Sequence, residues 1–444
     1  MLAVAARLRD AGLDRQRPVA IYVTDPLIHL ALILGAMREA IPSFSGHPNY
    51  DAPPTGISIG AYLCDRQMPF MSDAAVIPVD SAWLSPAQTS GLAPERRRFE
   101  NRQSLARVIA SSGTTGKAKA IGLSAELVDR RVELPGMIGE HRLFPSLSMI
   151  GVSGSLGFRH CLAHLRLGNV QIMPSGKLDA ISAVKLHDVK SIIGSPAQLH
   201  SLLDVVERGT MRLPSLEQVR VTGSSIPRMS VVRVRSRLCS DLTGLYGSAE
   251  VSGIADARAD LLERIPGCAG FIQPWARVEI VDEAGNALPA GAEGIVRIRS
   301  DVGVAKYLGD PPENSTAFKD GWFHPGDTGT MSNEGLLAIS GRTAEIINTG
   351  GTKVSPDLIN DFLAGTHGIA EAAAFGVDYP DRPTEIWAAV VALQPIDEQA
   401  LIETCRRALG GRGPHRIVRV QRIPRNTMGK VITDELRRSV MSGA

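Results

Sequence analysis

Ser111-Ser112-Gly113-Thr114-Thr115-Gly116-Lys117-Ala118-Lys119-Ala120 is the run of this 444-residue chain best suited to handling an anion. Glycines let backbone N–H groups approach phosphate oxygens, hydroxyls add donors, and lysine places positive charge where a departing pyrophosphate concentrates negative charge. The run is not a Walker A loop. That signature needs four residues between its glycines and Ser or Thr after its lysine. Here only Thr114 and Thr115 separate Gly113 from Gly116, and Ala118 follows Lys117. Taken alone, the run also reads as an ordinary flexible Ser/Gly/Thr turn, so other residues must decide.

Four further segments follow in order: Leu245-Tyr246-Gly247-Ser248-Ala249-Glu250, Gly321-Trp322-Phe323-His324-Pro325-Gly326-Asp327, Gly341-Arg342 with Glu345-Ile346-Ile347 and Gly350-Gly351, and Pro424-Arg425-Asn426-Thr427-Met428-Gly429-Lys430. With the loop, they resemble the SSGTTGxPKG, YGxTE, GWxxTGD, GRxxExI and PRTxxGK motifs of the adenylate-forming superfamily: acyl-CoA synthetases, peptide-synthetase adenylation domains and luciferases. The resemblance runs from about residue 15 to the C-terminus, and five matches in the right order exclude coincidence.

The resemblance implies an ATP-dependent ligase that turns a carboxylic acid into an acyl-adenylate and passes it to coenzyme A. Ser112, Gly113, Thr114, Thr115 and Gly116 then hold the triphosphate, with Lys119 as the loop's cation. Tyr246 covers an adenine face beside Gly247 and Ser248, and the Gly223-Ser224-Ser225 turn meets the base's other edge. Glu250 ligates Mg²⁺, a hard cation that takes carboxylate oxygen beside phosphate. Asp327 accepts from vicinal ribose hydroxyls, and Arg342 adds a charge-assisted contact to the nucleotide. Lys430 reaches the substrate carboxylate and α-phosphate, while Gly350 and Gly351 leave room for a pantetheine arm once the C-terminal domain has swung about its hinge. Outside the family pattern each residue has a plainer use, Tyr246 in a core, Glu250 on a surface and Asp327 capping a turn.

The chain departs from the family at Ala118 and Ala120 around the loop lysine, at Ala249 for the YGxTE threonine, at Pro325 for the GWxxTGD threonine and at Ala344 in the hinge. Ser248 is placed to compensate for the hydroxyl lost at Ala249, a bond of about 0.5 to 1.5 kcal/mol. Phe144-Pro145-Ser146-Leu147-Ser148-Met149-Ile150-Gly151-Val152-Ser153-Gly154 stands where relatives begin their acyl pocket, and its small residues imply either a roomy pocket or close helix packing. Relatives carry several dozen more residues before VAIYVTDPLIHLALILGAM, so a shortened large domain is expected. His141, His160 and His164 read as solvated or satisfied histidines, and Arg159 and Arg166 as surface arginines unless a second substrate carboxylate meets them.

The elements that must position these residues are legible as α/β layers. Strand-like runs at 19–23, 106–111, 169–173, 191–195 and 218–223 alternate with helical periods, such as the recurrence of Leu199, Leu202, Leu203 and Val206. From about residue 270 the pattern becomes strands without helices, an antiparallel β subdomain. Beyond Gly341 it alternates again, enough for a small, mobile α+β domain. The expected division is a large adenylation domain at 1–341 and a small domain at 342–444 carrying Lys430.

Composition bounds the partners. A net charge of +2, with 48 basic and 46 acidic residues, supplies no field for nucleic acid, and a 5% aromatic share argues against base stacking. Cys64, Cys161, Cys239, Cys268 and Cys405 lack metal or disulfide spacing and read as buried free thiols. The longest apolar stretch, around Leu27 to Met37, is short of the ~20 residues that span a bilayer, and the N-terminus lacks a signal-peptide pattern. A cytoplasmic enzyme is expected, with a carboxylic acid and coenzyme A as substrates. Two alternatives stand beside it: a ligase loading the phosphopantetheine of an acyl carrier protein, and a non-catalytic nucleotide-binding relative.

Overall fold

The structure is a computed structural model describing residues 1–46, 52–54, 56–71, 74–85, 97–111, 118–137, 145–174, 179–343, 345–350, 352–379, 382–425 and 431–442. Its described residues form two compact units. The first comprises 1–193, 248–252 and 299–323, and the second 194–247, 253–298 and 324–444.

The first unit is built on a six-stranded sheet in the order Ala75–Pro78, Ala61–Cys64, Val19–Tyr22, Ser43–Ser45, Leu105–Ser111, Lys119–Ser124. The first five strands run parallel and the last antiparallel. Val19–Tyr22 is buried at every position, as an unbroken apolar run in a parallel sheet should be. Helix Pro26–Arg38 starts where Pro26 presets the first turn and Asp25 Oδ1 accepts from the amides of Leu27 and Ile28, both at 2.9 Å. Its Leu30, Leu32 and Ile33 join Val19, Ile21 and Ile109 in the core. Leu105–Ser111 and Lys119–Ser124 form a hairpin in which Ser111 and Lys119 are cross-strand partners. A P-loop instead leads from strand into helix, so the fold agrees with the sequence in excluding one.

In the second unit Gln218–Thr222 lies parallel to Asp241–Ser248. An antiparallel set then joins Ser252–Arg258, Cys268–Ile272, Leu336–Arg342, Asp327–Met331 and Gly294–Ser300 in that order. The amphipathic helix Pro196–Arg208 opens with a capping box between Ser195 and Gln198 and buries Leu199, Leu202, Leu203 and Val206, the four residues of its sequence period. Towards the C-terminus, strands Ile369–Val377, Glu385–Ala392 and Arg416–Arg419 form a separate sheet accompanied by helices Pro356–Ala364, Glu398–Leu409 and Thr433–Ser442. Mixed α/β architecture with an antiparallel subdomain is therefore what the chain adopts.

Two expectations need adjustment. The region after residue 270 is not helix-free, because Asn314–Ala317 makes one helical turn. Ser315 and Thr316 hydroxyls bond back to the carbonyls of Pro312 and Glu313, while Asn314 bonds both the amide and the carbonyl of Tyr307. Of the five cysteines, all unpaired, Cys239 is only half-buried. No helix among the described residues is long and apolar enough to cross a membrane.

Candidate active site

Antiparallel register decides the surroundings of Asp327. Asp327 opens its strand after Gly326, whose φ of 79° suits glycine, and Arg342 is its direct cross-strand partner. Arg342 Nε lies 3.3 Å from Asp327 Oδ1, and the hydroxyl of Tyr246 donates to Oδ2 at 2.6 Å. The carboxylate is only 5% exposed. Burial, and then the charge of Asp327, hold the Tyr246 phenol well above its usual range, so it remains a donor. Tyr246, expected to offer a ring, thus also has that ring tethered through its hydroxyl.

Thr222 pairs with Leu245 in the parallel strands, which sets the Gly223-Ser224-Ser225 turn beside Tyr246 at their carboxyl ends. Ligands of α/β sheets bind at such ends. Gly223 has φ 97°, and all three turn residues are exposed. Gly247 is exposed as well.

A second group forms within the first unit. Glu250 is 6% exposed, and its Oε1 accepts from the hydroxyl of Tyr307 at 3.0 Å. Lys119 Nζ stands 5.3 Å from the centroid of the Tyr307 ring and 3.8 Å from Glu313 Oε1. Burial, followed by Glu250, pushes the Tyr307 phenol upward, keeping it a donor. The hydroxyl of Ser248 is buried with no hydrogen-bond partner among the described residues, which suits a group awaiting a ligand. Nothing in the spacing of Tyr307 or Glu313 signalled either residue.

The magnesium ion implied beside Glu250 fits these residues. The carboxylate is a hard donor with one oxygen engaged by Tyr307. Among the described residues no three His, Cys, Asp or Glu side chains converge, so such an ion would rely on phosphate oxygens and water for its remaining ligands, as Mg²⁺ commonly does.

Ser112, Gly113, Thr114, Thr115, Gly116, Gly351 and Lys430 lie outside the described residues, as do Ala344 and His141. Gly350 has φ 65° and directly follows strand Ile347–Thr349, which pairs antiparallel with Thr352–Val354. His160 and His164 are buried, their ring centroids 4.4 Å apart, and His160 Nε2 lies 3.3 Å from Ser146 Oγ. Arg166 is exposed and pairs with Glu133 at 2.9 Å. Arg159 corrects the expectation of a surface residue, being only 9% exposed one turn into the same helix, Ser155–Arg166. Close packing uses at least one pair of small residues here: a Cβ on Gly157 would stand 2.2 Å from the carbonyl oxygen of Gly151.

The model of the family described as AMP-binding enzyme matches residues 63–308, more than half of the chain. The chain belongs to the AMP-binding enzyme family. It is 29% identical over 344 residues to indoleacetate–CoA ligase of Aromatoleum aromaticum, covering 74% of this chain and 66% of that protein. To 4-chlorobenzoate–CoA ligase of an Arthrobacter species it is 26% identical over 343 residues, 74% of this chain and 65% of that protein. The match therefore spans about two thirds of the length of these relatives. ATP-bound MatB from Rhodopseudomonas palustris shares the fold at a TM-score of 0.85 and 22% identity, over 99% of this chain and 91% of that one.

Proposed function

We propose that this member of the AMP-binding enzyme family activates a carboxylic acid with MgATP and transfers the acyl group to the thiol of coenzyme A. The observation that carries this reading is the buried Asp327 carboxylate, held by Tyr246 at 2.6 Å and by Arg342 at 3.3 Å beside an exposed glycine turn. A carboxylate so fixed suits the vicinal hydroxyls of a ribose.

In the first half-reaction a substrate carboxylate oxygen attacks the α-phosphorus of ATP. A new P–O bond forms as the bond to the bridging oxygen breaks, and pyrophosphate leaves with the electron pair. Positioning and charge neutralisation carry such a step. Asp327 and Arg342 orient the nucleoside, Tyr246 covers the base, and Lys119 offers charge to the leaving group. Magnesium, once bound at Glu250, neutralises phosphate charge. Lys430 is assigned to the carboxylate and α-phosphate. In the second half-reaction the thiol sulfur attacks the acyl carbon, and AMP leaves with the electron pair. We assign that step to a rotation of residues 342–444 against 1–341 that withdraws Lys430 and presents Gly350 and Gly351.

The test is pyrophosphate release from MgATP with a panel of carboxylic acids, with and without coenzyme A. Release should depend on the acid, an acyl-CoA should form only with coenzyme A, and Lys430→Ala should slow release by about 10²- to 10³-fold. Acid-dependent release without thioester would transfer the second step to a carrier protein. ATP binding without release from any acid would overturn the catalytic reading.

A further inference from the structure

Arg131 lies on helix Ala125–Met137 and is 3% exposed. Its guanidinium donates to three backbone carbonyls, each at 2.9 Å: Nε to Val302, Nη1 to Ala249 and Nη2 to Glu250. All lie within the first unit, and the acceptors are 118 to 171 residues distant in sequence. Burial, helped by the charge of Arg159 and opposed by Glu250, draws the guanidinium down to about 9. A side chain this costly to bury is retained where one rigid, planar group must satisfy several fixed acceptors.

What the three carbonyls share is Glu250. Its own carbonyl accepts from Arg131 and also from the amide of Val304 at 2.9 Å, which fills both lone pairs. Its carboxylate accepts from Tyr307, five residues beyond the Val302 carbonyl that Arg131 also holds. Tyr307 is in turn fixed by Asn314, through its amide at 2.7 Å and its carbonyl at 3.2 Å. One guanidinium thus braces the two segments whose side chains meet at Glu250.

Resting on the magnesium role assigned to Glu250 above, we propose that Arg131 and Tyr307 are positioning residues that set the backbone and carboxylate of Glu250 for a nucleotide-bound divalent cation. Neither touches substrate; each acts through Glu250. Lysine at 131 would keep the charge but cannot span three carbonyls, and phenylalanine at 307 would keep the ring but free the carboxylate to turn.

The test uses the full chain with Mn²⁺ as probe, its binding in the presence of ATP followed by electron paramagnetic resonance and metal-free ATP binding followed by calorimetry. Arg131→Lys and Tyr307→Phe should each weaken Mn²⁺ binding by about tenfold or more, the range typical of lost outer-shell support, and leave metal-free ATP affinity within about twofold. Arg107→Met, a substitution of another buried arginine in the same unit, should change neither affinity. Tyr307→Phe removes a single oxygen and carries the test should Arg131→Lys fail to fold. Wild-type Mn²⁺ affinity in the variants, an equal loss of metal-free ATP binding, or no Mn²⁺ binding by the wild-type protein with ATP would each overturn the proposal. Because neither readout needs an acid substrate, a ligase reading that fails on every acid leaves this result standing.

Discussion

Asn at position 327 is the substitution whose consequences follow most directly from the geometry. The Asp327 carboxylate accepts from Tyr246 at Oδ2 and faces Arg342 across Oδ1. An amide can face the guanidinium only with its oxygen, because its NH₂ would set donor against donor. That orientation turns the NH₂ toward the Tyr246 hydroxyl, which must reverse and accept. Two acceptor oxygens become one, already claimed by Arg342, so a ribose loses at least one charge-assisted hydrogen bond of about 1.5 to 3 kcal/mol. At 1.4 kcal/mol per decade, Asp327→Asn should raise the ATP dissociation constant by about 10- to 150-fold. Calorimetric titration with ATP and with its 2′-deoxy and 3′-deoxy analogues supplies the decisive comparison. Wild-type protein should prefer ATP over at least one analogue by about tenfold, and the variant should bind all three within about threefold. An Asp327→Asn protein that keeps the wild-type preference would refute the assignment of the ribose to this carboxylate, whatever its overall affinity.

Two further expectations concern stability. Arg107 is fully buried, bonds Ser43 and Ser45 hydroxyls at 3.3 and 2.8 Å and the Val152 carbonyl at 3.2 Å, and lies 4.4 Å over the Phe158 ring; burial pulls its guanidinium down to about 9. No described carboxylate pairs with it, so in urea denaturation Arg107→Met should match or exceed wild-type stability, by up to about 2 kcal/mol, while Arg107→Ala, which leaves a cavity, should lose about 3 kcal/mol. On helix Pro356–Ala364, burial and then the charge of Asp357 push the carboxyl of half-buried Asp361 up to about 7 from 3.8. A raised carboxyl leaves the folded chain binding more protons between those values, so its contribution is complete below pH 3.8 and is lost as pH rises through about 7. Asp361→Asn should flatten that segment of the stability profile and raise the thermal midpoint at pH 8; an unchanged pH slope would refute the shift.

The family and most of the elements are legible along the chain. Five ordered motifs named the first, and local physics supplied the second. Leu199, Leu202, Leu203 and Val206 recur at helical period and are buried as one face, and the all-apolar run at 19–22 is a buried parallel strand, because helix pitch and strand alternation are written over a few residues. Tyr246, Asp327 and Arg342 also stand in those motifs.

What those residues do to one another was decided elsewhere. Arg342 faces Asp327 because two antiparallel strands adopt one register, and a slip of one residue would turn the side chains to opposite faces of the sheet. Arg131 reaches Ala249, Glu250 and Val302 only through the fold of the first unit, and neither it, Tyr307 nor Glu313 stands in a pattern that marks it. Arg159 looked like a surface residue because arginine usually is one, and helix packing buried it. Propensity and motif depend on neighbours along the chain, whereas hydrogen bonds, desolvation and charge depend on neighbours in space, which only tertiary structure supplies.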